Sequence, residues 1–182
     1  MPKTQIASGT AFTYLYSIGR TSEAGPAFRH PYGVARGKAD ILYVVNRSDE
    51  FNQTVRITKC TLGEDWLLDI GKTGSDDGQF LWPSGIALDS KENIYVTDQS
   101  AHKIVVFQTN GDFLGKFGHK GDVDGALDTP SGIGIDKEDC LYVVDSGNNR
   151  VQKLSSAGQF LAKFGSKGSE DGQFCMPWGV DV

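Results

Sequence analysis

The residues of this chain whose types suit chemistry are few and fall at repeating places. Three related segments, "KTGSDDGQFLW", "HKGDVDGALDT" and "SKGSEDGQFCM", each carry a close pair of carboxylates: Asp76 and Asp77, Asp122 and Asp124, Glu170 and Asp171. Acids gathered in loops attract a cation or a basic partner. "DVDG" has the carboxylate spacing of a calcium loop, but the remaining oxygen ligands of that pattern do not follow it. The acids therefore read first as a solvated surface and second as a face for a cationic partner. The chain has three histidines, His30, His102 and His119, which share no metal-like spacing. Zinc requires ligands converging at about 2.0–2.1 Å, so surface histidines are the reading and no metal is assigned. Cys60, Cys140 and Cys175 are an odd set without ligand spacing, read as small apolar or bystander residues rather than a disulfide framework. No Gly-rich phosphate loop opens a helix and no GxSxG occurs, so no catalytic residue and no cofactor is assigned.

Composition bounds the partners. The 182 residues carry a formal net charge of -5, with 38% hydrophobic residues and 23 glycines. That length supports a sizeable core, and the glycine content favours short strands and tight turns. The acidic balance makes nucleic acid an unfavoured partner. "MPKTQIASGTAFTYLYSIG" has no apolar leader and no run approaches the length of a membrane span, so cytoplasmic is the default expectation.

The elements that must position these side chains repeat. Pro83, Pro130 and Pro177 stand 47 residues apart (130 − 83 and 177 − 130), and "WPSGIALDSKENIYVTDQ" recurs as "TPSGIGIDKEDCLYVVDS". An earlier copy, "HPYGVARGKADILYVVN", begins at His30 with its Pro31 lying 52 residues before Pro83, and the five extra residues fall within "RSDEFNQTV". Each unit offers four strand-like pieces, in the second unit "SGIALD", "NIYVTD", "KIVVFQ" and "DFLGKFG", rich in β-prone Ile, Val, Tyr and Phe. "TNGD" is a hairpin signal between the third and fourth pieces. Twelve residues separate the glycine that closes each fourth strand from the next proline: Gly19 to Pro31, Gly71 to Pro83, Gly118 to Pro130 and Gly165 to Pro177. A constant length predicts a constant geometry. Four-stranded units at this period are propeller blades.

The Pro-x-Gly entry, the Asp after the second strand, the "NNRVQKL" third strand and the Phe-Gly exit resemble NHL repeats, from Tyr14 onward. The resemblance implies an all-β, NHL-type β-propeller of four-stranded antiparallel blades. Such propellers usually have six blades, so an incomplete ring is expected here. The expected division is a lead-in over 1–13, an outer strand of a ring-closing blade over 14–19, and blades over 20–71, 72–118 and 119–165. The start of a fourth blade covers 166–182. A fragment of a longer reading frame is expected, with closure supplied by further blades of the same polypeptide or by a second copy. Members of this family serve as scaffolds, sensor domains, RNA-binding domains of tripartite-motif proteins, and a zinc-dependent lyase that amidates peptides. Non-catalytic binding of a protein, peptide or small ligand is the expected function. A lyase or hydrolase with a metal at the central channel is the alternative, and RNA binding comes third.

Strand order places the connections from strand four to strand one, and from strand two to strand three, on one rim. Tyr32, Ser84, Ser131 and Trp178 each follow a proline at the channel mouth of that rim, where they either contact a ligand or cover neighbouring blades. His102 and Asn149 are further rim candidates. Asp98 and Asp145 end second strands and precede Lys103 and Arg150 by five residues, with Asn46 in the same place in the first unit. Asn keeps an acceptor oxygen and loses the charge. This predicts that all three are structural caps, and that Asp145→Asn costs less than Asp145→Ala. Lys103, Arg150 and Arg56 read as paired or solvated cations, one per blade.

Overall fold

The computed structural model describes residues 28–47 and 55–182, together with the backbone of 4–7 and 10–13. The strand expected over 14–19 and most of the insertion lie outside the described residues. Within the lead-in, β1 (Thr4–Ala7) and β2 (Thr10–Thr13) pair as an antiparallel hairpin that the sequence reading did not anticipate.

Three four-stranded antiparallel sheets follow, each in simple chain order. The first contains β3 (Pro31–Arg36), β4 (Ile41–Asn46), β5 (Arg56–Thr61) and β6 (Trp66–Ile70). A short parallel pair, β7 (Lys72–Thr73) and β8 (Gln79–Phe80), bridges to the second. The second has β9 (Pro83–Leu88), β10 (Ile94–Asp98), β11 (Lys103–Phe107) and β12 (Phe113–Phe117). The third has β13 (Pro130–Ile135), β14 (Leu141–Asp145), β15 (Arg150–Leu154) and β16 (Phe160–Phe164), with a short 3-10 turn at Ser146–Asn148. These are propeller blades, stacked face to face with β3, β9 and β13 innermost and adjacent.

Stacking explains the apolar runs. β10 and β11 are buried at every position because both faces of the middle blade are covered. Side chains alternate along a strand. Ile94, Val96, Val105 and Phe107 therefore join Tyr43, Val45, Ile57 and Ile70 on one side, while Tyr95, Ile104 and Val106 join Leu141, Val143 and Leu154 on the other. Where no blade covers the face, the same repeat position is open: Val34 is 63% exposed, whereas Ile86 and Ile133, its counterparts, are 7% and 6% exposed.

Two glycine positions set the spacing. In the Pro-x-Gly entry, a Cβ on Gly33 would meet the Ser84 carbonyl oxygen at 2.5 Å, and one on Gly132 would meet the Trp178 oxygen at 2.8 Å. Gly85 abuts Ser131 in the same way. Inner strands of successive blades thus touch backbone to backbone, which only glycine permits. At the blade exit, Gly71, Gly118 and Gly165 adopt positive φ angles of 75°, 96° and 89°. The loop residue nine positions on packs against each: Phe80, Leu127 and Phe174. Burial of Phe80 alone is worth about 2–3 kcal/mol. Gly74, Gly121 and Gly168 donate N–H bonds to the carbonyls of those same three residues, closing each loop identically. The twelve-residue spacing is this loop.

Candidate functional site

Strand two of each blade ends at the rim, and its last side chain ties down the loop that enters the same blade. Asp98 accepts N–H bonds from Leu81 (2.7 Å) and Trp82 (3.0 Å), and a third from Ala101 in the turn that follows (3.0 Å). Asp145 accepts from the Asp128 N–H at 2.6 Å, and Asn46 from the Arg29 N–H at 2.9 Å. The acceptor serves the incoming loop as well as the following turn. At Asp145 charge also matters. Its Oδ2 accepts from Arg150 Nε at 2.7 Å, Asn148 Nδ2 at 2.9 Å and Gln152 Nε2 at 3.0 Å, all buried or half-buried. An amide nitrogen there would face three donors. Asp145→Asn keeps one acceptor oxygen but therefore carries a cost of its own. In the first blade Asn46 Nδ2 donates instead to the Val44 carbonyl and Thr58 Oγ1, and Arg56 turns to Asp69 at 3.1 Å.

Arg150 also donates to the carbonyls of Asp122, Val123 and Ala126, stapling the acidic loop to the blade. Lys103 is largely buried at the equivalent place, and desolvation pushes its ammonium pKa down against the opposing pull of Asp98.

The rim end of the innermost strands, the mouth of the stack, is aromatic. Tyr32 on β3 and Trp178, three repeats later, have ring centroids 5.8 Å apart in an edge-on arrangement. Arg47, the first residue after β4, is buried with its guanidinium 3.3 Å from the Tyr32 ring centroid and 4.9 Å from that of Trp82. Its Nε donates to the Pro83 carbonyl at 2.6 Å and its Nη2 to Gln99 Oε1 at 3.0 Å. Burial lowers the Arg47 pKa, and the neighbouring Tyr32 and Asp98 oppose that shift. Tyr32, Trp82 and Trp178 remain exposed at 43%, 41% and 50%, with Leu81 and Met176 open beside them.

Ser84 and Ser131 share the repeat position of Tyr32 and Trp178 but are buried. Ser84 Oγ donates to the Ser131 carbonyl at 2.9 Å, and Ser131 Oγ to the Trp178 carbonyl at 2.8 Å. A small hydroxyl fits between inner strands, where an aromatic ring turns outward. His102 and Asn149 are counterparts, both in the left-handed conformation at φ 52° and 55°. Each accepts the N–H of the residue before the next proline: Thr129 to His102 Nδ1 at 3.1 Å, and Met176 to Asn149 Oδ1 at 2.9 Å. The structure does not bring these two into the aromatic mouth cluster. His30 and His119 are exposed loop residues. Among the described residues no three His, Cys, Asp or Glu side chains group as metal ligands, and the cysteines are unpaired.

Sequence reading missed Arg47 and Trp82 as individual residues. The available signal was position: Arg47 occupies the place of Gln99 and Ser146, and Trp82 that of Thr129 and Met176.

The NHL repeat family model matches residues 80–107 and 127–154. The protein lin-41 of Caenorhabditis elegans is 40% identical over 50 residues, which is 28% of this chain and 4% of that protein. Among solved structures, virginiamycin B lyase from Staphylococcus aureus aligns with a TM-score of 0.56 at 19% identity, covering 98% of this chain and 52% of that one. Hydrazine synthase of Kuenenia stuttgartiensis aligns with a TM-score of 0.61 at 13% identity, over 90% of this chain and 42% of that one. A protein of unknown function from Bacteroides thetaiotaomicron aligns with a TM-score of 0.62 at 18% identity, over 82% and 41%. The chain spans about half or less of the length of these structures. At such identities the likeness is one of fold. No helix among the described residues is long and apolar enough to cross a membrane.

Proposed function

This chain carries NHL repeats folded as propeller blades, and from that premise we propose that it is a non-catalytic binding module, a scaffold or sensor for a protein, peptide or small ligand. The observation that supports the reading is the mouth. Tyr32, Trp82 and Trp178 present three half-exposed aromatic rings on one rim, with the Arg47 guanidinium against Tyr32 and Trp82 and the Trp178 ring edge-on to Tyr32. Large aromatics lose little side-chain entropy on contact and are enriched where proteins bind one another. Rim loops of fixed geometry carry side chains that differ from blade to blade, which suits recognition on a rigid frame. The test is random-peptide display against the immobilised full chain and its Trp178→Leu variant. Trp178 makes its inter-blade bond through its backbone, so the substitution leaves the fold intact. Peptides enriched on the parent and lost on the variant are the expected result. Enrichment indifferent to Trp178 would defeat the reading.

A further inference from the structure

The chemistry of the mouth and its surroundings narrows the partner. Each connecting loop runs from an outer strand to an inner one, so its early residues lie at the periphery and its late residues at the mouth. The early residues of the three loops carry six exposed carboxylates, Asp76 and Asp77, Asp122 and Asp124, Glu170 and Asp171, beside one exposed lysine each, Lys72, Lys120 and Lys167. The late ones, Leu81, Trp82 and Met176, are apolar and exposed. An aromatic centre is thus bordered by loops in which these exposed carboxylates outnumber the exposed lysines, six to three. Part of that charge is answered internally, since Asp77 pairs with Lys116 at 2.8 Å and Asp124 with Lys163. For Asp76, Asp122, Glu170 and Asp171 the side chains carry charge toward solvent.

Arg47 shows what these rings accept. Its guanidinium lies over Tyr32 and reaches Trp82, a cation–π arrangement inside the chain itself. Its Nε and Nη2 donors are taken up by the Pro83 carbonyl and Gln99, so it is fixed within the chain while the Tyr32 and Trp82 rings stay half-exposed. An anionic ligand would meet carboxylates before it met this buried cation. A cationic one would be drawn by the periphery and would stack on arrival.

We propose that the mouth takes a basic peptide segment, with an arginine or lysine side chain lying against Trp178 and Trp82 and flanking basic residues facing the acidic loops. This rests on the binding-module reading and specifies its ligand. The probe is a capped peptide of alternating arginine and glycine, titrated calorimetrically into the full chain and compared with the same peptide carrying neutral, near-isosteric citrulline. The arginine peptide should bind at least tenfold more tightly. Trp178→Leu should weaken it at least tenfold, while Leu161→Ala, at an exposed position on an outer strand, should change nothing. Asp76→Asn combined with Glu170→Gln should weaken binding several-fold and flatten its salt dependence. Circular dichroism checks that each variant is folded. Equal binding of the citrulline peptide, or binding untouched by Trp178→Leu, overturns the proposal. So does preferential binding of a single-stranded oligoribonucleotide at the same residues. If display yields peptides that need Trp178 but lack arginine and lysine, this inference falls and the binding-module reading stands.

Discussion

At the scale of single residues, Asp145 carries more than the sequence suggests. A cap needs only an acceptor, and Asn46 shows that an amide suffices where Arg56 has another carboxylate to reach. Asp145 holds the Asp128 N–H with one oxygen and three side-chain donors with the other, Arg150 among them. Removing one member of a buried ion pair leaves the other uncompensated. Asp145→Ala should therefore destabilise by about 3 kcal/mol. Asp145→Asn should cost about 2 kcal/mol, since the amide sets a donor against donors. Urea denaturation of both variants measures the difference, and an Asn variant as stable as the parent would show that Arg150 is held by the loop carbonyls alone.

At the scale of elements, the inner strands and the turns at the opposite end of each blade make separate ties between neighbours. Gly85→Ala places a methyl group against the Ser131 backbone, and neither strand can shift without opening the stack. A loss of about 3 kcal/mol or more is expected, within the range of overpacked cores. Gly115→Ala, on the outer strand β12 with nothing within 4 Å of the added carbon, should be neutral or slightly stabilising. Thermal melts of the two variants compare axis and periphery directly. The turns at the far end are tied by acids: Glu92 accepts the Lys38 N–H at 2.6 Å, and Asp139 accepts both the N–H and Oγ of Ser90 at 2.7 Å. The Ser90 bonds hold the Asp139 carboxyl below its ordinary pKa of 3.8. A carboxyl lowered on folding stabilises fully above its unfolded value and loses that contribution as pH falls through the folded one. Stability should therefore drop below about pH 4, and Asp139→Asn should show a shallower acid limb in a pH series of urea midpoints.

At the scale of the whole molecule, two blade faces have no neighbouring blade among the described residues. Val34 is open on one, where the middle blade buries Ile86, and Phe164 is exposed on the other, where the middle blade half-buries Phe117. Apolar faces and sheet edges of this kind promote association. Light scattering after gel filtration should show self-association that rises with concentration and weakens in a Val34→Lys variant; a monomer at every concentration would contradict this. The architecture was legible in the sequence because the repeat writes the same geometry three times: the Pro-x-Gly entry and the closing glycine recur in every blade, and aspartate and Phe-Gly in two of the three. The mouth was only half legible. Tyr32 and Trp178 stood out by position, but their contact with each other spans three repeats, and periodicity within a repeat carries no such distance. Ser84 and Ser131 shared that position and proved to be buried, because side-chain size decides whether a residue there turns inward or outward.

The glycine contacts between inner strands govern curvature. A stack of wedges turns through an angle set by the difference in thickness between its inner and outer edges. At the inner edge the thickness is that of two backbones in contact, the same at Gly33, Gly85 and Gly132 and not adjustable by substitution. Farther out it is set by side chains such as Phe80, Phe107 and Phe113, whose rings lie 5.6 and 6.1 Å apart in sequence. The axis is a fixed pivot, and the volume of the peripheral side chains is the variable that dictates how many wedges complete a turn.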